Sequence, residues 1–437
     1  MRKRRLKSKK LQAKEKTYPA NVGKWEVLDN LLPISPQHAA LLHTDKVIFF
    51  AHEPDPTKNI FETVIWNYKN LIWKIKQIQS DIFCSGHSFL ADGRLIVAGG
   101  TEERNPPPNG FKGLLDTSIF DPASEEWIPK QPMVKGRWYP TLVALDDGNS
   151  VVAVSGLDET GTNTVNNITE IYSASNDTWT SKGPIDRWEL YPHLFLLEDG
   201  RLFYTGGHQG NINPPLPGFF DVNNNTLTYL EEIPEDFDNG RRDQACSILL
   251  PPAQDQEVMI IGGGGPPDNP RNPLTSMIAI NKVHIINLNA SKPEYKTAPR
   301  LNHARMHHNT VLLPNRTVFV CGGNKPEDGP ESGTDVRQSE LYDPSKNTWT
   351  ELAIANISRW YHSEALLLPD GTVVTAGSNT APIPEEKNWR YSILHIYSEI
   401  QKIDQLLIQY KMMSRNMVMR SLLRRRGVRL MTLSGFI

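Results

Sequence analysis

Cys84, Tyr139, Tyr191 and His362 share one spacing: each stands eight residues before the Asp of an Asp-Gly turn, and His307 stands eight before the matching Asn315. Tyr361 sits beside His362. A thiol, phenols and imidazoles at equivalent places have a chemistry as a group. Imidazole nitrogen and phenolate oxygen in tetragonal geometry suit Cu(II), and a tyrosine joined to a neighbouring cysteine sulfur could hold an oxidising equivalent that the metal alone lacks. Singly, each has a plainer reading. A buried cysteine is usually a small hydrophobe, and a Tyr or His at a strand start is usually a hydrogen-bonded channel wall.

The elements that must position these residues are visible as a repeat. An apolar strand, an Asp-Gly turn, a second apolar strand and a closing glycine recur through 91–100, 198–207 and 369–377. Weaker copies at 146–156, 257–263 and 314–323, and a degenerate first copy at 44–50, bring the count to seven. Their spacing is close to the kelch period of roughly 50 residues. A companion phrase places an aromatic residue seven positions before a tryptophan, in Trp66/Trp73, Phe120/Trp127, Tyr172/Trp179 and Tyr342/Trp349. It predicts outer hairpins packed between blades. The last copy has a third strand at 391–397 but no tryptophan strand after it, whereas residues 23–28 form a tryptophan strand with no blade before it. The pattern therefore predicts an all-β fold, a seven-bladed kelch-type β-propeller closed by an N-terminal strand, which protects the edges an open ring would expose. In such a ring the innermost strand of every blade starts near the axis on one face, so Cys84, Tyr139, Tyr191, His307 and His362 are expected to converge.

Composition agrees with this reading. With 33 Pro and 30 Gly in 437 residues, the chain is punctuated too often for long helices. The balance of 47 Lys and Arg against 49 Asp and Glu gives no global pull toward nucleic acid or membrane, and no basic groove interleaved with aromatics supports a nucleic-acid partner. Basic residues gather at the ends, so residues 1–21 read as a basic N-terminal tail, 22–400 as the propeller and 401–437 as a basic C-terminal tail. No stretch approaches a membrane span and no export signal is visible. Cys84, Cys246 and Cys321 are widely separated and odd in number, so no disulfide framework is expected.

The segments Phe83-Cys84-Ser85-Gly86-His87, Gly136-Arg137-Trp138-Tyr139-Pro140-Thr141 and Arg359-Trp360-Tyr361-His362-Ser363, together with the stretch 366–379, resemble the galactose oxidase and glyoxal oxidase family across the whole propeller. The resemblance implies a thioether crosslink between Cys84 and Tyr139, with Tyr139 as radical ligand, Tyr361 as axial tyrosine and His362 as histidine ligand of a single copper ion. It implies two-electron oxidation of a primary alcohol or aldehyde, with oxygen reduced to hydrogen peroxide and Tyr361 taking the substrate proton. A monomer acting on small molecules outside the cell is expected on the same ground. Two departures stand out. The family's stacking tryptophan is expected just after the glycines of the Tyr139 blade, where Gly156-Leu157-Asp158 supplies none. The remaining histidine ligand comes in the family from a β-sandwich domain, and 401–437 contains no histidine, so the chain as given is expected to have little activity unless His307 or His308 substitutes. The rival reading is a non-catalytic propeller that binds a protein or carbohydrate.

Overall fold

The computed structural model describes residues 22–51, 60–104, 111–185, 188–209, 215–234, 242–265, 278–325, 334–378 and 390–395. The C-terminal tail and the N-terminal basic run lie outside the described residues. The fold is all-β and propeller-like, with one short 3-10 turn at Ala253–Asp255 among the described residues. Six antiparallel sheets each draw their four main strands from one continuous stretch of chain. They run from His38–Leu42 to Ile72–Ile78, Gly86–Phe89 to Glu126–Lys130, Thr141–Ala144 to Thr178–Pro184, Leu194–Leu196 to Thr226–Tyr229, Cys246–Leu249 to Tyr295–Ala298 and Met306–Leu312 to Thr348–Ile354. A further four-stranded sheet joins Ser363–Leu367, Val373–Gly377 and Arg390–His395 to Lys24–Leu31, with Trp25 opposite Leu394.

Burial explains the strand patterns. Second strands such as Leu95–Ala98 and Val373–Gly377 are buried at every residue, because each is covered by the sheets on both sides. Outermost strands such as Thr178–Pro184 stay mostly exposed. The core consists of apolar clusters between sheets: Phe50 and Ile65 pack with Leu95, Val97 and Phe120, and Ile96 and Ile119 pack with Leu142, Val151 and Tyr172.

The aromatic–tryptophan phrase is a cross-strand pair. Trp66 faces Trp73, Phe120 faces Trp127, Tyr172 faces Trp179 and Tyr342 faces Trp349 across the outer two strands. Three of these indoles reach back toward the preceding sheet: Trp127 Nε1 donates to Thr63 Oγ1 and Trp179 Nε1 to Thr117 Oγ1, both at 3.0 Å, and Trp349 Nε1 to Pro299 O at 2.8 Å. Trp25 Nε1 does the same to Ser339 Oγ at 3.2 Å.

The glycine phrase has an inter-sheet cause. Gly100 N donates to Arg137 O at 2.9 Å, Gly263 N to Arg305 O at 2.9 Å and Gly323 N to Arg359 O at 2.6 Å. A Cβ on Gly99 would lie 2.4 Å from Arg137 O, and one on Gly322 would lie 2.3 Å from Arg359 O, so a side chain cannot fit there. Each arginine is itself buried and clamps its own sheet. Arg137 donates to Ser155 O at 2.8 Å and to Glu170 at 2.9 Å, Arg305 to Gly322 O at 2.9 Å and to Glu340 at 2.7 Å, and Arg359 to Gly377 O at 2.8 Å. These clamps fix the chain two or three residues ahead of Tyr139, His307 and His362.

Candidate active site

Six residues at equivalent strand starts hold a left-handed backbone: Cys84 (φ 63°), Tyr139 (67°), Tyr191 (45°), Gln244 (56°), His307 (53°) and His362 (60°). That conformation costs a non-glycine residue roughly 1–2 kcal/mol. Here the hydrogen bonds of the inner ring hold it, with Tyr139 N donating to Cys84 O at 2.8 Å, Tyr191 N to Tyr139 O at 3.0 Å and His307 N to Gln244 O at 3.1 Å. The side chains of all six line one cavity of about 360 Å³, with Tyr361, Gln209, His38 and Glu364.

Within that cavity, Tyr139 Oη lies 2.5 Å from Tyr361 Oη and 3.2 Å from His362 Nε2. Two phenol oxygens and one imidazole nitrogen thus converge. Gln209 Nε2 donates to Tyr361 Oη at 3.3 Å. Cys84 is buried in one cluster with Phe83, Trp138, Tyr139 and Leu157, and its amide donates to His38 Nε2 at 3.1 Å. Burial pushes the Tyr139 phenol well above its ordinary range, and the nearby Cys84 and Tyr361 push it further. Tyr191 is raised in the same way, by burial first and then Cys84, and its hydroxyl donates to Ser85 O at 3.0 Å.

The structure supplies a stacking tryptophan from a place the sequence reading passed over. Leu157 holds the place after the blade's glycine, and the tryptophan on Tyr139 is Trp138, whose ring lies 3.7 Å from that of Tyr139 at an interplanar angle of 9°. Tyr191 stacks on Tyr139 at 4.4 Å and 22°. Two near-parallel rings at these separations cannot share one face, so Tyr139 is held between them. Phe111 covers Trp138 in turn at 4.3 Å and 4°. The tryptophan precedes its tyrosine in Arg137-Trp138-Tyr139 and does not follow the blade's glycine.

Two histidines differ in what they offer. His307 Nδ1 pairs with Asn324 Oδ1 at 2.9 Å, whereas its Nε2 is buried without a hydrogen-bond partner. Burial lowers His307 to about 4. His308 is buried with both ring nitrogens unpartnered, and burial first, then Arg305, holds it well below its ordinary value. Sequence reasoning missed Gln244, Gln209, His38 and Glu364. A repeated Arg two or three residues before the ring position, in Arg137, Arg242, Arg305 and Arg359, is the signal that would have found Gln244.

Among the described residues no cluster of three or more His, Cys, Asp or Glu side chains forms a metal site. The donor set is instead phenolic, and Tyr139, Tyr361 and His362 fit a cupric ion by ligand type. Among the described residues no helix is long and apolar enough to cross a membrane.

Comparison with known proteins identifies the family. The model of the glyoxal oxidase N-terminus matches residues 38–393. A galactose oxidase from Gibberella zeae is 28% identical over 310 residues, covering 68% of this chain and 42% of that protein. An aldehyde oxidase from Arabidopsis thaliana is 27% identical over 414 residues, covering 82% of this chain and 62% of that protein. The chain thus spans less than two thirds of the length of these relatives. A solved fungal alcohol oxidase of the AA5 family, in complex with copper, shares the fold with a TM-score of 0.69 at 21% identity, covering 86% of this chain and 76% of that one. With one family's model running across nearly the whole sheet array, the chain belongs to the galactose oxidase and glyoxal oxidase family.

Proposed function

We propose that this protein oxidises primary alcohols or aldehydes, the latter as their hydrates, and reduces oxygen to hydrogen peroxide at a single copper ion held by Tyr139, Tyr361 and His362. The observation that carries the reading is the placement of Tyr139 Oη within hydrogen-bond distance of both Tyr361 Oη and His362 Nε2, in the cluster that buries Cys84. A channel wall has no need of a thiol packed beside a phenol at this point. The copper-bearing neighbour and the oxidase relatives support the same class of chemistry.

In this reading Cys84 Sγ and the Tyr139 ring form a thioether, and the oxidised ring, held between Trp138 and Tyr191, takes a hydrogen atom from the substrate carbon. Tyr361 Oη accepts the hydroxyl proton, with Gln209 steadying that oxygen. A copper ion held by Tyr139, Tyr361 and His362 would supply the second one-electron acceptor, so that the metal and the Tyr139 ring together would hold the two electrons that oxygen takes up. Burial that disfavours the free phenolate makes Tyr139 dependent on a cation for ionisation.

The same proposal covers the scaffold. We count the sheet of Lys24–Leu31 and Ser363–Leu367 as the seventh blade of a kelch-type ring closed by its N-terminal strand, because Trp25 reaches Ser339 as Trp127 reaches Thr63 and Trp179 reaches Thr117.

The test loads the protein with copper in air, digests it and searches for a peptide joining Cys84 to Tyr139 with the loss of two hydrogens. Peroxide release from methylglyoxal and simple primary alcohols is assayed in parallel. The crosslink is expected and is lost in Cys84→Ser, and any peroxide release is lost with it. Copper bound at Tyr361 and His362 without any crosslink would overturn the reading.

A further inference from the structure

Cys84 differs from its neighbours on the inner ring in what holds its backbone. Tyr139 N donates to Cys84 O at 2.8 Å, Tyr191 N to Tyr139 O at 3.0 Å, Gln244 N to His208 O at 2.9 Å and His307 N to Gln244 O at 3.1 Å. Those four left-handed residues are tied main chain to main chain. The Cys84 amide, left-handed as well at φ 63°, donates instead to a side chain, His38 Nε2, at 3.1 Å. An imidazole nitrogen that accepts a hydrogen bond carries no proton, so His38 is held as the Nδ1–H tautomer.

His38 opens the inner strand His38–Leu42 of the first sheet, so the bond joins that sheet to the start of the next. Its buried ring is fixed by three others. It lies on Phe50, its partner across the strand pair, with centroids 4.8 Å apart at 11°. It meets Phe83 at 6.5 Å and 75° and His87 at 5.7 Å and 85°. A ring packed in this way offers its acceptor at one place only.

We propose that His38 is a positioning residue for the crosslink: by holding the Cys84 amide it fixes the left-handed turn that keeps the thiol against the Tyr139 ring. The inference rests on the oxidase reading above and goes beyond it by naming what prepares the crosslink. In that step the Cys84 S–H bond and one C–H bond of the Tyr139 ring break and a C–S bond forms. The two electrons and two protons released pass to oxygen, giving hydrogen peroxide. Thiol and ring are packed in one buried cluster, and a reaction between positioned groups loses rate steeply when one of them is displaced. Without the His38 acceptor the Cys84 amide is a buried donor with no partner, and a non-glycine residue gains by leaving the left-handed region.

The test mixes copper-free protein with Cu(II) in air and follows the fraction of crosslinked Cys84–Tyr139 peptide by mass spectrometry. Two substitutions separate the bond from the packing. His38→Phe keeps a flat ring on Phe50 and loses the acceptor, whereas His38→Gln loses the stack and supplies an amide oxygen at similar reach. Crosslinking should slow about tenfold or more in His38→Phe and recover most of its rate in His38→Gln. In the copper-free protein, hydrogen exchange at the Cys84 amide should quicken in the first variant and not in the second. Unslowed crosslinking in His38→Phe, or equal slowing in both variants, would overturn this inference and leave the oxidase reading standing. Loss of a nitrogen from the copper EPR spectrum of His38→Phe would assign the imidazole to the metal and also overturn it. Absence of the crosslink from the unsubstituted protein would sink the oxidase reading and this inference together.

Discussion

Glu364 follows His362 by two residues, and burial pushes its carboxyl up to about 8. The ordinary carboxylate value lies near 4.3, so between roughly pH 4.5 and 8 the folded chain holds a proton that the unfolded chain has released. Stability attached to this group is therefore complete in acid and falls as the pH rises through that window. Glu364→Gln is expected to leave stability unchanged at pH 4 and to raise it by about 1–3 kcal/mol at pH 9, a range that allows for solvent reaching part of the carboxyl. Urea unfolding at the two pH values checks this, and equal shifts at both would exclude ionisation as the cause. His87 and His193 act in the opposite sense. Burial lowers each to about 4, so stability falls on acidification below their ordinary value near 6.5. At this scale the sequence exposed Cys84, Tyr139, His307 and His362, because a turn at fixed distance marks each strand start. It hid Gln244, whose sheet replaces the Asp-Gly turn with the 3-10 turn Ala253–Asp255, and it hid the tautomer of His307, which Asn324 sets from the paired strand.

Between residues and the ring stands the contact each tryptophan strand makes with the sheet before it. Thr63, Thr117, Thr169 and Ser339 all lie three residues before the aromatic of their phrase and are all buried. Trp127, Trp179 and Trp25 supply indole donors to Thr63, Thr117 and Ser339. In the sheet that follows Thr169, Leu227 stands opposite Phe220 in the place of Trp127, Trp179 and Trp25, and the Thr169 hydroxyl is left buried without a partner. The two threonines should thus respond differently to one substitution. Thr117→Val orphans the Trp179 indole and should cost about 1–2 kcal/mol, whereas Thr169→Val removes an unsatisfied hydroxyl and should be neutral or stabilising. Paired urea melts decide the matter; equal losses would show that the hydroxyls do not bear on the sheet contact. The tryptophan phrase was legible because its spacing is regular. The buried arginine clamps were not, since charge in a sequence suggests surface until the carbonyls and carboxylates that surround Arg137 and Arg305 are seen.

At the scale of the whole molecule, the proposed closure puts the N-terminal strand in the sheet that leads out of the proposed metal donors. Lys24–Leu31 is the outer strand of the sheet whose inner strand, Ser363–Leu367, follows directly on Tyr361 and His362. Trp25 is 5% exposed, packs against Val311, Phe319 and Leu352 of the neighbouring sheet, and donates to Ser339 and Ala353 O. In a ring each sheet leans on both neighbours, so a fault at this seam has no free edge at which to stop. Trp25→Ala is expected to cost about 3–5 kcal/mol, to lower the midpoint of a single unfolding transition, and to weaken copper binding even though Trp25 touches no proposed ligand. Ile72→Ala, on an exposed outer strand, serves as control and should change stability by about 0.5 kcal/mol or less. Urea unfolding and copper titration followed by EPR read the two effects separately. If Trp25→Ala keeps both stability and copper affinity, the N-terminal strand is an ornament on the ring and the closure proposed from the missing tryptophan strand is wrong. If stability falls while copper binding holds, the ring is closed there but Tyr361 and His362 are positioned by the Arg359 clamp alone.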